Sequence, residues 1–177
     1  MAGIELESAL QPSFESRGLN VYSNHHVAYE TNKKWDLLTA FHVVEHLQDP
    51  RQIIADLSSL MADAGEMVIE VPSSDDALLT LYECEPFMNF TYWSQHIFLF
   101  NRQTLSELAR QAGLEVSWIR QIQRYPLSNH LHWLAKGEPG GHEVWSFLNS
   151  EDLHLSYEKQ LASIGMCDTI VASISKH

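Results

Sequence analysis

Residues 35–41 read WDLLTAF, and this short segment is the strongest strand signal in the sequence. It is a nearly continuous apolar run of strand length, which is typical of a strand buried on both faces in a parallel sheet. A second strand is expected from Glu66 to Val71, after a turn that ends at Gly65. Between the two runs, Asp49 and Pro50 begin a helix that extends to about Ala62. Strand, helix and strand in this order predict a right-handed crossover between parallel strands.

The same alternation continues on both sides of this unit. Before it, the sequence predicts a strand end at Gly3–Leu6, a helix at Ser8–Ser16 closed by Gly18, and a strand at Leu19–Tyr22. After it, the sequence predicts a helix from Asn101 to Ala112, a strand from Leu114 to Ile122, a helix from Glu151 to Ile164 and a strand from Asp168 to Ser175. The whole pattern indicates an α/β sheet covered by helices.

Composition limits the classes of function. A chain of 177 residues with 45% hydrophobic residues suits one domain, residues 1–177. The formal charge of -12 disfavours nucleic acid and anionic membranes as partners. No run approaches the ~20 apolar residues of a membrane span, and Met1–Leu10 does not resemble a secretory signal. We therefore expect a soluble cytoplasmic protein.

Metal binding is the first function to weigh, because the chain has 10 histidines. Cys84 and Cys167 stand far apart, which favours packed thiols over a zinc site. His42, Glu45 and His46 fit the HxxEH pattern of inverted zinc peptidases, which requires a helix through the motif. The motif instead follows a predicted strand and precedes Asp49 and Pro50. A zinc hydrolase stays the minor alternative, and we assign no metal ligands.

The order of the segments resembles class I S-adenosylmethionine-dependent methyltransferases. Residues 35–47, WDLLTAFHVVEHL, and residues 65–72, GEMVIEVP, are similar to the family's fourth strand, the loop after it and the fifth strand. Residues 98–113 are similar to its next helix, and residues 167–176 to its final antiparallel strand. The resemblance implies a three-layer Rossmann-like sheet, mostly parallel with an antiparallel C-terminal strand, and S-adenosylmethionine as the cofactor.

The resemblance also implies roles for individual residues. Glu5 is similar to the acidic residue that accepts hydrogen bonds from the ribose hydroxyls of the cofactor. Phe41 and His42 match the loop that contacts the methionine part. His46 is the candidate general base for the methyl acceptor. The alternatives are a solvent-exposed Glu5 and a loop histidine bonded to the backbone.

Two aromatic-rich segments, 75–100 and 125–150, follow the carboxyl ends of predicted strands, where open α/β sheets bind ligands. We interpret them as insertions that bind a small-molecule or sugar acceptor. The alternative for each ring is simple packing over the sheet. The candidate acceptor residues are Tyr92, Trp93, His96, Tyr125, His130 and His132.

One part of the family's pattern has no counterpart in this sequence. Family members carry a strand and a GxGxG-like loop before the element that matches Gly3–Glu5, and its amides hold the methionine carboxylate. That first strand lies at the centre of the family's sheet. We therefore expect residues 1–34 to be rearranged, and a second copy in a homodimer or a partner chain to complete the sheet. Impaired activity follows as an expectation, with an inactive binding module as the alternative.

Overall fold

The computed structural model describes residues 1–92 and 95–176. Strands and helices alternate as the sequence predicts, and additional short helices occupy the aromatic segments. The elements are β1 (Gly3–Ile4), α1 (Gln11–Ser16), β2 (Val21–Tyr22), α2 (His25–Glu30), β3 (Trp35–Phe41), α3 (Pro50–Ser58), β4 (Met61–Pro72), α4 (Ala77–Thr80), α5 (Glu85–Thr91), α6 (Arg102–Gln111), β5 (Glu115–Ile122), α7 (Leu127–Lys136), α8 (Gly141–Val144), α9 (Glu151–Ile164) and β6 (Thr169–Ser175).

The main sheet has four strands in the order β3-β4-β6-β5. β3 and β4 pair in parallel, and β6 is antiparallel to both β4 and β5. β3, β4 and β5 therefore point the same way, while the C-terminal strand β6 runs against them. The predicted α/β fold, mostly parallel with an antiparallel C-terminal strand, is confirmed.

The core lies where β4 and β6 meet the helices. Met67, Ile69 and Val71 alternate along β4, and all three side chains are buried. They belong to one apolar cluster with Ile54 of α3 and Leu105 of α6. Burying each such side chain stabilises the fold by roughly 1.5–3 kcal/mol. This packing fixes the direction of the strands whose carboxyl ends form the site described below.

The helix caps were predictable, but one helix end was not. The Gln52 amide donates to Asp49 Oδ1 at 3.0 Å, which caps α3 as expected. The prediction that α3 extends to Ala62 is wrong, because Met61 already pairs with Trp35 and begins β4. The sheet register therefore ends the helix earlier than its apolar spacing suggests.

β3 is an edge strand, which corrects the prediction that it is buried on both faces. The side chains of Leu37 and Phe41 are each 52% exposed. Within the described residues, only β4 pairs with β3. β1 and β2 form a separate two-stranded parallel sheet instead of extending the main one. The apolar run of β3 thus has one open edge and partly exposed faces.

The N-terminal region otherwise follows the prediction. A 3-10 turn at Ser8–Leu10 leads into α1, and Gly18 has the left-handed backbone that closes it, with φ of 67°.

Among residues 1–92 and 95–176, no helix combines the length and apolar character of a membrane span.

Candidate functional site

A cavity of about 240 Å³ opens at one end of the main sheet. Its lining includes His42 after β3, Pro72 at the end of β4, Arg124 after β5 and Thr169 at the start of β6. Since β6 is antiparallel, its first residue lies beside the last residues of β4 and β5. The cavity therefore lies at the carboxyl ends of the parallel strands, the usual ligand position in open α/β sheets.

Asp168 connects the loop after β5 to the start of β6. Its carboxylate accepts hydrogen bonds from the backbone amides of Arg124 at 2.9 Å and Tyr125 at 3.0 Å, and from Gln123 Nε2 at 2.8 Å. The Asp168 amide in turn donates to Gln123 Oε1 at 3.1 Å. Burial raises the pKa of Asp168, although the bonds from the two backbone amides oppose the shift. These bonds hold a carboxylate at the cavity wall.

His130 is a neutral hydrogen-bonding residue of the same wall. Burial lowers the pKa of His130 to about 4, so the ring is uncharged at neutral pH. Gln123 Nε2 lies 3.1 Å from His130 Nε2 and can only donate. His130 Nδ1 therefore carries the proton and donates to the Tyr157 hydroxyl at 2.7 Å. This arrangement fixes the ring and removes it from proton transfer near neutral pH.

Asp76 is the titratable group best matched to acid and base chemistry. It follows the end of β4, is 4% exposed and lines the cavity. The Leu78 amide donates to its Oδ1 at 2.7 Å, which begins α4. Burial raises the pKa of Asp76 to about 7, and the nearby charge of Asp168 adds to the shift. A carboxyl group with this pKa changes its charge near neutral pH.

Aromatic rings also line the cavity. Phe87 and Phe90 of α5 lie against Trp133 of α7, with ring centroids 5.2 and 5.3 Å apart. Tyr125 also lines the cavity, with the Arg124 guanidinium 6.0 Å from its ring centre. Aromatic faces beside carboxylates are a combination that binds cations.

His42 joins the cavity to the end of β3. Its backbone is left-handed, with φ of 53°, which turns the chain sharply away from the strand. His42 Nε2 lies 3.0 Å from Glu70 Oε1 and also contacts Arg124 Nη1. Arg124 Nε is 3.8 Å from the same Glu70 oxygen. The three side chains contact one another, and His42 and Arg124 line the cavity.

The structure brings some of the predicted acceptor residues together. His96, Tyr125 and His130 line the cavity. His132 lies outside the lining: its Nδ1 donates to the Glu138 carbonyl at 2.9 Å. Tyr92 is 61% exposed and outside the lining, and Trp93 lies outside the described residues. The two aromatic segments thus meet at the cavity through part of their length.

Of the predicted cofactor and base residues, His42 lines the cavity, whereas Glu5, Phe41 and His46 lie outside its lining. Glu5 is at the end of β1, where its Oε1 accepts from the Glu7 amide at 2.8 Å. Phe41 ends β3, next to His42. His46 lies outside the lining, and its Nδ1 donates to the Gln95 carbonyl at 2.5 Å.

The HxxEH motif does not lie on the helix that a zinc peptidase needs. His42 follows β3 with a left-handed backbone, and only a single 3-10 turn, Val44–His46, comes after it. The two histidines of the motif therefore do not share a helical face. The zinc-hydrolase alternative receives no support from this geometry.

Sequence reasoning missed the acidic residues of the cavity, Asp76 and Asp168, and the adjacent Arg124. Asp76 comes shortly after Pro72, which ends a predicted strand. The sequence alone could therefore have placed Asp76 at the ligand-binding edge of the sheet. Asp168 begins the last strand, and only the antiparallel pairing of β6 brings it to that edge.

Comparison with known proteins relates the chain to methyltransferases. A family model described as "Methyltransferase domain" matches residues 3–117. A search of curated proteins finds no match.

Solved structures of similar fold cover nearly the whole chain. An S-adenosylmethionine-dependent methyltransferase from Archaeoglobus fulgidus has a TM-score of 0.60 and 18% identity, over 99% of this chain and 75% of its own. A possible histamine N-methyltransferase from Thermotoga maritima has a TM-score of 0.59 and 15% identity, over 100% of this chain and 73% of its own. The 1,6-didemethyltoxoflavin-N1-methyltransferase from Burkholderia thailandensis has a TM-score of 0.50 and 11% identity, over 98% of this chain and 59% of its own. At these identities the likeness concerns the fold.

Proposed function

The chain belongs to the methyltransferase-domain family, and from that membership we propose that it transfers a methyl group from S-adenosylmethionine to a small molecule bound in the cavity. The observation that carries the proposal is the buried Asp76 in an aromatic-walled cavity at the carboxyl ends of the strands. The related fold from Burkholderia thailandensis holds 1,6-didemethyltoxoflavin and S-adenosylhomocysteine together. An acceptor cavity next to a cofactor site is the arrangement that such a transfer requires.

The ends of β1 and β3 fit two parts of the cofactor. Glu5 Oε1 accepts from the Glu7 amide, and no residue within 1–92 and 95–176 donates to Glu5 Oε2, so this oxygen can accept from a ribose hydroxyl. Phe41 presents a half-exposed ring immediately before His42. We assign the ribose hydroxyls to Glu5 and the methionine part to Phe41 and His42. When bound, S-adenosylmethionine supplies a methyl group on a sulfonium, which is already an activated leaving group.

The unpaired edge of β3 lies next to Phe41, one of the residues assigned to the cofactor. Among the described residues, no glycine-rich turn joins a strand to a helix beside Phe41. The edge of β3 away from β4 pairs with no described strand, and Leu37 there is half exposed. An unpaired edge favours pairing with another strand. We propose that a second copy of the chain covers it. Sedimentation showing a monomer at assay concentration contradicts this, and association that appears only with another polypeptide identifies a different partner.

The cavity chemistry favours an amine as the methyl acceptor. Asp76 and Asp168 line the same cavity as the rings of Phe90, Tyr125 and Trp133. A protonated amine is attracted both by ionised carboxylates and by the faces of aromatic rings. Asp76 in its ionised form can accept the proton that the amine must lose before it becomes a nucleophile.

Asp76 and His46 are alternative proton acceptors in this scheme. The sequence favoured His46, whose side chain lies outside the cavity lining. Asp76 lies in the lining and has the pKa near 7 that a base at neutral pH requires. We therefore assign the base to Asp76, and the loss of the pH dependence in Asp76→Asn tests the assignment.

A binding module without catalysis is the second candidate function, favoured by the same open edge of β3. The experiment that separates the two uses purified protein, S-adenosylmethionine and a panel of small amines, hydroxylated aromatics and sugars. Mass spectrometry detects methylated products. We expect a methylated amine as the product. In Tyr125→Ala its yield is expected to fall at least about tenfold, because the substitution removes one cation–aromatic contact and changes the shape of the cavity. Tyr29→Ala, on exposed α2, is the control. Absence of any product supports the module.

A further inference from the structure

Glu45 is buried in a way that ordinary packing does not explain. Its side chain is completely buried, and no described residue donates a hydrogen bond to either carboxylate oxygen. His42 Nδ1 lies 3.3 Å from Glu45 Oε1, but without hydrogen-bond geometry. Burying a carboxylate without donors is strongly unfavourable. A bound cation at these oxygens would offset that cost.

Two histidines near Glu45 have their Nδ1 atoms bonded to backbone carbonyls. His46 Nδ1 donates to the Gln95 carbonyl at 2.5 Å, and His96 Nδ1 donates to the Thr91 carbonyl at 2.9 Å. A carbonyl oxygen only accepts, so the proton of each neutral ring is on Nδ1 and the lone pair on Nε2. This is how metal-binding histidines are usually held.

The distances are close to those of a metal site. His46 Nε2 is 3.7 Å from Glu45 Oε1. One ligand atom from each of Glu45, His46 and His96 lies within 4.8 Å of the others. Metal–ligand distances of about 2.0–2.2 Å place neighbouring ligands about 3.0–3.6 Å apart. Small side-chain rotations are enough to close the difference, because the side chain of His46 is exposed.

The backbone holds the contributing loops together. The amides of Ile97 and Phe98 donate to the Glu45 carbonyl at 2.9 and 3.1 Å. These bonds fix the segment that carries His96 against the turn that carries Glu45 and His46. The three side chains are thus positioned by the fold rather than by chance proximity of mobile groups.

We propose that Glu45, His46 and His96 bind one divalent first-row transition metal ion, of the zinc or cobalt type. Imidazole nitrogens with one carboxylate are a donor set that such ions prefer. The site differs from the zinc-peptidase pattern, because Glu45 is a ligand and His96 replaces His42. His96 also lines the cavity, so a free coordination position of the metal can bind an acceptor oxygen or nitrogen. Metal binding itself does not depend on the proposed methyl transfer.

The test uses the full chain, stripped of metal with a chelator and titrated with Co²⁺. We expect one equivalent to bind with visible d–d absorption, and Zn²⁺ to displace it. His96→Ala removes a ligand from a partly exposed position, and we expect affinity to fall about 100-fold or more, beyond the 10–100-fold typical of supporting residues. His26→Ala, an exposed histidine of α2, is the matched control and keeps full affinity.

A second measurement guards against variants that do not fold. In the unmodified protein, NMR of the histidine ring nitrogens is expected to show Zn²⁺-induced shifts at Nε2 of His46 and His96, with His26 unchanged. Glu45→Gln keeps the side-chain shape and is expected to lose binding as well. Absence of Co²⁺ uptake, uptake unchanged in His96→Ala, or ring shifts confined to other histidines overturns the proposal.

Discussion

Replacing Asp76 with asparagine is expected to make the fold more stable at high pH while removing the proposed base. The side chain is buried, and burial raises its pKa from the usual 3.8 to about 7. Asparagine keeps an oxygen that can accept from the Leu78 amide, and it is a favourable residue at the start of a helix. The substitution therefore removes the charge and keeps the cap.

The magnitude follows from the pKa. A tenfold change in an ionisation equilibrium corresponds to about 1.4 kcal/mol, so ionised Asp76 destabilises the fold by about 4 kcal/mol above pH 7. Because the folded pKa is the higher one, this loss of stability develops as the pH rises from about 4 to about 7. Burying the asparagine amide offsets about 1–3 kcal/mol of the gain. We expect a net stabilisation of at least about 1 kcal/mol at pH 8, or about 2–4 °C in Tm.

Thermal and urea unfolding of both proteins at pH 4 and pH 8 measure the effect. The variant is expected to be more stable than the wild type at pH 8. At pH 4, where the carboxyl group is protonated, only the cost of burying the amide remains, and the variant is expected to be less stable by about 1–3 kcal/mol. Asp75→Asn, at the neighbouring and less buried carboxylate, is the matched control for the loss of one negative charge. A variant that is equally destabilised at both pH values refutes the reasoning about Asp76.

The remaining predictions concern catalysis and packing. Methyl transfer is expected to increase with pH through about 7, as Asp76 ionises, and Asp76→Asn is expected to lose this dependence; a rate profile that is flat in the unmodified protein contradicts this. Gly141→Ala is expected to lower the free energy of unfolding by about 2–3 kcal/mol in urea denaturation, because the new Cβ would lie 2.3 Å from His132 Cβ. Gly113→Ala meets open space and is expected to cost only about 1 kcal/mol, from its left-handed backbone; equal effects of the two substitutions would contradict the packing argument.

Much of the fold was predictable because it depends on local patterns. The strand at residues 35–41, the capped helix after Asp49 and the alternating C-terminal strand each have a clear period or cap signal. The exposure of Leu37 was not predictable, since an apolar run does not show whether a neighbouring strand pairs with its edge. The early end of α3 is similar: its sequence remains helical, and only the pairing of Met61 with Trp35 ends it.

The candidate site depends on contacts between distant residues, which explains what the sequence did not predict. Gln123 and Asp168 are joined by two hydrogen bonds across the β5–β6 pairing. His96 reaches Glu45 only because the intervening chain returns to the turn after β3. The HxxEH spacing indicated that His42 and His46 act as a pair. The left-handed backbone of His42 instead keeps the two histidines from sharing one face of a helix. Residue spacing along the chain carries little information about any of these arrangements.

The most direct measurement of the central claim is calorimetric titration of the purified chain with S-adenosylhomocysteine. We expect binding at one site per chain with micromolar affinity. In Glu5→Ala the affinity is expected to fall about tenfold or more, because charge-assisted hydrogen bonds to the ribose are lost. Glu7→Ala, two residues away, is the control for a general effect of charge. Absence of any heat of binding at millimolar ligand, with the protein folded, would contradict the assignment of this site to the methyl donor.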